Sequence, residues 1–269
     1  MIGAHINREY VKAGSPIIMH LRKAKELYNI STFSIFVSAP KAKRIIVKDS
    51  EFADLREFCK SNTIIAHTSH VSHPWTGDEA CIEHIINELR TCEACGIAGL
   101  VVHLPKSGLA SVEKYITRFV FTRAIRLYFE TPAVIDSDFD TPAKLDKLLA
   151  LIKRIDPELL YFGICIDTAH LHTNGINLHT RAHASEYLDA LTIPKNILMF
   201  HLNDSERALH TGPDSHMPLM HGRIWEGLAL AESGLYPIIN FIKKHNVPAI
   251  LERDDSKTIL NDIDLYKGV

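Results

Sequence analysis

Apolar positions along this chain fall into two alternating rhythms. Short runs rich in Ile, Val, Leu and Phe occur at 2–6 (IGAHI), 32–38 (TFSIFVS), 63–67 (TIIAH) and 99–104 (GLVVHL). Four more follow at 125–130 (IRLYFE), 160–167 (LYFGICID), 196–204 (NILMFHLND) and 247–252 (VPAILE). Between them apolar residues recur every three or four positions, the spacing of a helix with one buried face. In 15–29 (SPIIMHLRKAKELYN), Ser15 is expected to cap the helix and Pro16 to take its first position. Thr141 and Pro142 play the same parts in 141–155 (TPAKLDKLLALIKRI). The helix after the fourth strand rests on SVEKYITRFVF (111–121), which is short and β-rich. The strand runs are apolar rather than alternating, as in strands covered on both faces. Eight strand–helix units with no linker, repeat or low-complexity tract predict an α/β fold. The expected architecture is a single (β/α)8 TIM barrel forming one domain over residues 1–269.

The polar exceptions gather at the strand ends. They are His67, His103, Glu130, Asp167, His201 and Glu252, near the ends of the third to eighth strands. In a (β/α)8 barrel those positions converge on one mouth. Six unpaired imidazoles and carboxylates there would cost more than the ~5–15 kcal/mol that stabilises a whole domain. Cations are the natural partners, and a donor set of nitrogen and oxygen without thiolate suits zinc or manganese. Two local patterns extend the set. His170 lies three residues past Asp167, and GPDSHMP (212–218) holds Asp214 and His216 two apart, so these three can form a further metal site.

Composition changes this picture in a few places. The 269 residues, 46% hydrophobic, suffice for a full core, and the 16 histidines are roughly twice the ordinary usage. Taken singly, His20, His84 and His245 read as surface or packing residues of helices, and His172, His179 and His183 as solvated loop residues. His5 ends the first strand and could equally bind a metal or support a residue that does. The five cysteines are odd in number and the chain shows no secretory signal, which argues against a disulfide framework. Cys92 and Cys95 have metal-knuckle spacing but read as two thiols on a helix face. A net charge of −2 argues, on its face, against a nucleic-acid partner. No stretch approaches the ~20 apolar residues of a membrane span. MIGAHINREY, with His5 and Arg8, does not read as a signal peptide, so a cytoplasmic or other intracellular setting is expected.

The same residues carry a resemblance. GAHIN (3–7), IAHTS (65–69), VVHLP (101–105), YFETPA (128–133), CIDTAH (165–170), FHLND (200–204), DSH (214–216) and ILE (250–252) are similar, in order, to segments of the endonuclease IV family of abasic-site nucleases. The resemblance implies a trinuclear zinc site, with manganese possible at one position. His67 and His103 would hold one ion, Glu130 would bridge it to a second completed by Asp167, His201 and Glu252, and His170, Asp214 and His216 would hold the third. Glu130, Asp167 and Glu252 would be the catalytic carboxylates, and double-stranded DNA with an abasic site the substrate of a monomeric enzyme. Three divalent ions would turn the formal −2 into about +4 at the barrel mouth, so the charge of the metal-free chain misleads. The family's lesion-reading loops correspond to SAPKAKR (38–44) and HTSHVSH (67–73), where Lys41, Lys43, Arg44, His70 and Val71 are the candidate DNA contacts. His70-Val71 is a smaller wedge than the Tyr usual there, and Met220-His221-Gly222 stands where Gly-Glu-Gly is common. A metal-dependent sugar isomerase on a related barrel is the alternative, which would have no use for the third metal group. A non-catalytic metal-binding barrel is a more distant one.

Overall fold

A computed structural model describes residues 1–119, 125–253 and 255–269. Strands β1 (Ile2–His5), β2 (Thr32–Phe36), β3 (Thr63–His67), β4 (Gly99–His103), β5 (Arg126–Glu130), β6 (Phe162–Asp167), β7 (Leu198–His201) and β8 (Ala249–Leu251) close into one barrel. Neighbours pair in parallel around the ring, and β1 pairs β8 to complete it. Helices α1 (Ile17–Tyr28), α2 (Phe52–Cys59), α3 (Glu79–Cys95), α4 (Leu109–Ile116), α5 (Pro142–Ile155), α6 (Thr168–Thr173), α7 (Arg181–Asp189), α8 (Leu235–His245) and α9 (Ser256–Gly268) lie between and after the strands. This is the expected TIM barrel. Among the described residues, no helix is long and apolar enough to cross a membrane.

Two cores result. The larger one lies between the strands and the helices. The smaller one fills the barrel and consists of Ile65, Val101, Tyr128, Cys165, Met199 and Ile250, one residue from each of β3 to β8. Side chains alternate sides along a strand, so the position two residues on points the same way. Two residues beyond this layer stand His67, His103, Glu130, Asp167, His201 and Glu252. An apolar floor therefore carries a polar rim, built by the strand period alone. Tyr128 fits because both neighbouring strands place glycine beside it. A Cβ on Gly163 would lie 2.6 Å from its ring, and one on Gly99 2.7 Å from it.

Several boundaries differ from expectation. The helix start in 15–29 is capped by Pro16 and not by the Ser15 side chain. The buried Glu51 carboxylate takes over, accepting the Ile17 N–H at 2.7 Å, so a distant acid does what the local serine does not. Thr141 caps α5 as predicted, its hydroxyl accepting the Lys144 N–H. α4 is short and is followed by a 3₁₀ turn at Thr117–Phe119; the rest of that candidate helix, Val120 and Phe121, lies outside the described residues. The run at 196–204 divides into the end of a 3₁₀ turn, strand β7, and Asp204–Ser205, which pairs antiparallel with His216–Met217. That two-residue ribbon folds the segment bearing Asp214 back over the barrel mouth.

The five cysteines are free, and Cys92 and Cys95 are buried on α3 as ordinary helix-face thiols. The expectation of three solvated loop histidines after β6 needs correction. α6 begins directly after Asp167, which buries His172 within a helix with its Nε2–H toward the Arg207 carbonyl. His179 is half-buried, with its Nδ1–H toward the Ile224 carbonyl. His183 is exposed, but on α7.

Candidate metal centre

Glu130 is the hub of the rim. It is fully buried, with Oε2 3.0 Å from both His67 Nε2 and His103 Nε2, and Oε1 2.6 Å from His201 Nδ1. Strand register makes these contacts, because His103 pairs with Glu130 across β4–β5 and Asp167 with His201 across β6–β7. Glu252 Oε2 lies 3.0 Å and Asp167 Oδ2 3.9 Å from the same His201 nitrogen. A second gathering surrounds Asp214, whose Oδ2 is 3.3 Å from His170 Nε2 and 3.1 Å from His216 Nε2. Asp167 Oδ2 is 3.7 Å from His216 Nε2, so Asp167 stands between the two gatherings. All nine residues expected to bind metal are thus brought together.

The chemistry of the donors fits a metal. His67 directs its Nδ1–H to the Thr68 carbonyl at 2.8 Å, His170 to that of Thr131 at 2.7 Å, and His216 to that of Glu252 at 3.1 Å. Each ring is thereby turned so that neutral imidazole offers an Nε2 lone pair to the centre. A lone pair facing a carboxylate oxygen at about 3 Å is repulsive unless a cation sits between them. Two ligands of one tetrahedral zinc, bound at about 2.0–2.1 Å, lie about 3.3 Å apart, and the spacings here, from 2.6 to 3.9 Å, bracket that value.

Electrostatics agree. Burial holds the Asp167 carboxyl above the usual range, and the negative Asp214 and Glu130 add to it, against the pull of His170 and His216. Such a group is short of positive charge. Glu130 is equally buried, yet its histidine neighbours, His201 and His103 foremost, outweigh burial and hold it well below the usual range. In the metal-free chain the imidazoles supply that charge as protons. The His170 and His201 pKa values are pushed well up, although burial opposes it, by Asp167 and Asp214 in one case and by Cys165, Glu252 and Glu130 in the other. Metal and proton compete for the same nitrogens.

Sequence reasoning missed Asn203. It is buried, donates from Nδ2 to Asp167 Oδ2 at 2.8 Å, and accepts the Glu252 N–H on Oδ1 at 3.0 Å. A polar amide directly after a buried strand was the available signal. Thr131 was missed too. Its hydroxyl accepts the Asp167 N–H while its carbonyl holds the His170 ring.

The rim opens into a cavity of about 640 Å³. Of the candidate DNA contacts, Lys41 and His70 line it. His70 is exposed, its ring stacked 6.1 Å from His103 and edge-on to Phe36. Lys43 is turned aside to Asp78 at 3.0 Å, whereas Arg44 and Val71 are exposed outside the cavity lining.

Comparison with known proteins places this geometry. A family model described as xylose isomerase-like TIM barrel matches residues 21–234. The chain is 30% identical over 231 residues to a "Probable AP endonuclease" of African swine fever virus, covering 82% of this chain and 78% of the relative. It superposes on the crystal structure of AsfvAP:AG with a TM-score of 0.92 at 25% identity, covering 100% of this chain and 98% of the other. Endonuclease IV from Thermus thermophilus shares the fold, with a TM-score of 0.79 at 18% identity over 99% of this chain and 98% of that one. The chain belongs to the xylose isomerase-like TIM-barrel family, within its endonuclease IV-type branch of AP endonucleases.

Proposed function

We propose that this protein is a zinc-dependent AP endonuclease that hydrolyses the phosphodiester bond on the 5′ side of an abasic site in duplex DNA, leaving 3′-hydroxyl and 5′-deoxyribose phosphate ends. His67, His103 and Glu130 would hold the first zinc. Glu130, Asp167, His201 and Glu252 would hold the second, and His170, Asp214 and His216 the third, with manganese acceptable at one position. The observation that carries the reading is the set of three histidines whose Nδ1–H groups are fixed on main-chain carbonyls while their Nε2 atoms converge on carboxylates. The gathering around Asp214 favours phosphate chemistry over sugar isomerisation. One or two ions suffice to polarise a hydroxyketone, whereas a third matches the distributed negative charge of a phosphate in transit.

Zinc, when bound, lowers the pKa of water toward neutrality and stabilises charge on phosphate oxygens. The chain's own residues do the rest. Glu130 joins two ligand sets in one rigid unit. Asp167 holds the third set against the second and is itself fixed by the backbone N–H groups of Ala169 and His170 and by the Asn203 amide. The buried floor beneath, to which Tyr128 belongs, gives these groups an apolar base. Lys41 at the cavity edge and Arg44 outside it supply phosphate contacts that depend on charge rather than sequence. A monomer working inside the cell completes the reading.

The test uses a duplex oligonucleotide with one abasic site beside an intact duplex. Each is incubated with native, chelator-stripped and zinc-restored protein. Nicking at the lesion alone, lost on stripping and regained with zinc, is expected. An Asp167→Asn protein retaining three zincs and full turnover would defeat the assignment, and a wild type that binds only two ions would favour isomerase chemistry.

A further inference from the structure

His5 is the β1 member of the polar rim and is left without a task by the nine ligands. It stands two residues past Gly3, just as the six rim residues stand two past the barrel floor. A Cβ on Gly3 would meet the Thr32 carbonyl oxygen at 2.5 Å, so glycine lets β1 and β2 lie close there. In register across those strands His5 faces Ser34. Its Nδ1 is 3.2 Å from Ser34 Oγ, and its ring packs edge-on against Phe36 at 4.6 Å. The side chain is 6% exposed and lines the cavity with His67 and Glu252.

The polarity of the serine bond follows from satisfaction of both groups. Ser34 is fully buried, and His5 Nδ1 is the partner of its hydroxyl. If Nδ1 donated, two buried groups would be left unsatisfied, the Ser34 O–H, which has no other acceptor among the described residues, and the Nε2 lone pair, where the opposite polarity leaves only one. The hydroxyl therefore donates, Nδ1 accepts, and the hydrogen of the neutral ring sits on Nε2. That Nε2 is buried and has no hydrogen-bond partner among the described residues. Nor does it belong to any described set of three or more donor atoms that converge closely enough to share an ion. A fixed N–H with nothing to donate to, at the edge of a cavity for an anion, is a binding group awaiting its ligand.

We infer that His5 is a substrate-binding residue whose Nε2–H donates to a non-bridging oxygen of the phosphate held at the barrel mouth. The inference rests on the nuclease reading for its substrate, but the ligand chemistry, a phosphate oxygen, can be tested apart from cleavage. His5→Phe keeps the ring and its contact with Phe36 and removes the donor. His5→Gln returns an amide N–H to nearly the same place. Three quantities are measured on zinc-loaded proteins: bound zinc, the Kd for inorganic phosphate by calorimetry, and nicking of an abasic duplex.

His5→Phe is expected to keep the wild-type zinc content and to bind phosphate about 10-fold more weakly, with kcat lowered about 100-fold, the scale of one lost oxyanion donor. His5→Gln is expected to recover to within about 10-fold of wild-type kcat. Loss of one zinc equivalent in both variants would make His5 a ligand and overturn the inference. Phosphate affinity and kcat of His5→Phe within about 3-fold of wild type would overturn it as well, being below the worth of a hydrogen bond to an anion. So would ring-nitrogen NMR placing the hydrogen on Nδ1. If the wild type fails to nick, the nuclease reading falls, while the calorimetric comparison still decides the role of His5.

Discussion

Removing the Asn203 amide is expected to loosen the metal centre without touching a metal ligand. Asn203→Ala deletes the Nδ2–H donor to Asp167 and the Oδ1 acceptor of the Glu252 N–H. The first is a buried hydrogen bond to a carboxylate, worth ~1.5–3 kcal/mol, and the second leaves a main-chain donor unpaired at ~1–3 kcal/mol. Both serve one side chain, so the terms overlap, and a total of about 2–5 kcal/mol is expected. A domain of this size loses about 2–4 °C in Tm per kcal/mol, which predicts a fall of about 4–20 °C for the metal-free protein. Zinc affinity should weaken about 10–100-fold, since Asp167 and Glu252 lose the group that orients them. Thermal melts with and without chelator and a competition titration with a zinc indicator measure both effects. Asn203→Asp provides the sign test. It keeps the acceptor but sets a second carboxylate oxygen against Asp167, so its metal-free form should melt below wild type and regain more on zinc addition than Asn203→Ala does. Melting within about 1 °C of wild type together with unchanged zinc competition for Asn203→Ala would refute the reasoning.

Metal-free protein should lose stability between about pH 6.5 and about pH 9. Burial opposes protonation of His216, but Asp214 and Asp167 outweigh it and lift its pKa from 6.5 to about 9. A raised folded-state pKa gives stability that is complete below the unfolded value and lost as pH climbs through the folded one. The zinc-loaded protein should not decline over that range, because its ligands are already deprotonated, and melts at the two pH values compare them. Burial pushes the Cys59 thiol to about 11 and that of Cys95 to about 12, so a disulfide reagent at about pH 8 should react slowly with native protein and rapidly with all five thiols in denaturant. Lys41→Ala should lower the slope of log K against log salt for abasic duplex by about 0.9, as one phosphate contact does. Lys43→Ala should change it less, because Lys43 already pairs with Asp78; equal slopes for the two variants would mean that this pairing opens on DNA.

The barrel and its rim were legible because both follow from one period. Runs covered on both faces mark parallel strands, and a polar residue near the end of such a run has the mouth as its polar surroundings. That argument reached His67, His103, Glu130, Asp167, His201 and Glu252 from strand ends alone. Asp214 and His216 were legible only as a local pair, since their approach to His170 depends on the ribbon joining 204–205 to 216–217. A two-residue ribbon has no hydrophobic signature. The cap of α1 was misread for a related reason. Local sequence offers Ser15, but the Ile17 N–H finds Glu51 across the chain, and tertiary contacts override local preference. The ring tethers of His67, His170 and His216 all end on main-chain carbonyls, which every residue possesses. No choice of residue type could have announced them.

The same rim links metal binding to the stability of the fold. Four carboxylates, those of Glu130, Asp167, Asp214 and Glu252, meet five imidazoles over an apolar floor, and Asp167 lacks enough positive charge even with protonated histidines beside it. A ligand that binds only the folded state stabilises it by ~2.7 kcal/mol at one hundred times its Kd. Three independent zinc sites at that ratio would add ~8 kcal/mol, comparable to the whole stability of an ordinary domain. On the proposed reading, such a barrel could carry a mouth too acidic to be comfortable alone, because the ions that would perform the chemistry would also relieve the repulsion. The formal −2 of the chain then has a physical sense. On the proposed reading, carboxylates that hold divalent cations would make the bare protein acidic, and the same cations would make its mouth attractive to a phosphate backbone. Chelation should therefore lower Tm and DNA affinity together. A metal-free protein that keeps its full Tm would separate the two and show that side chains other than the ions neutralise the rim.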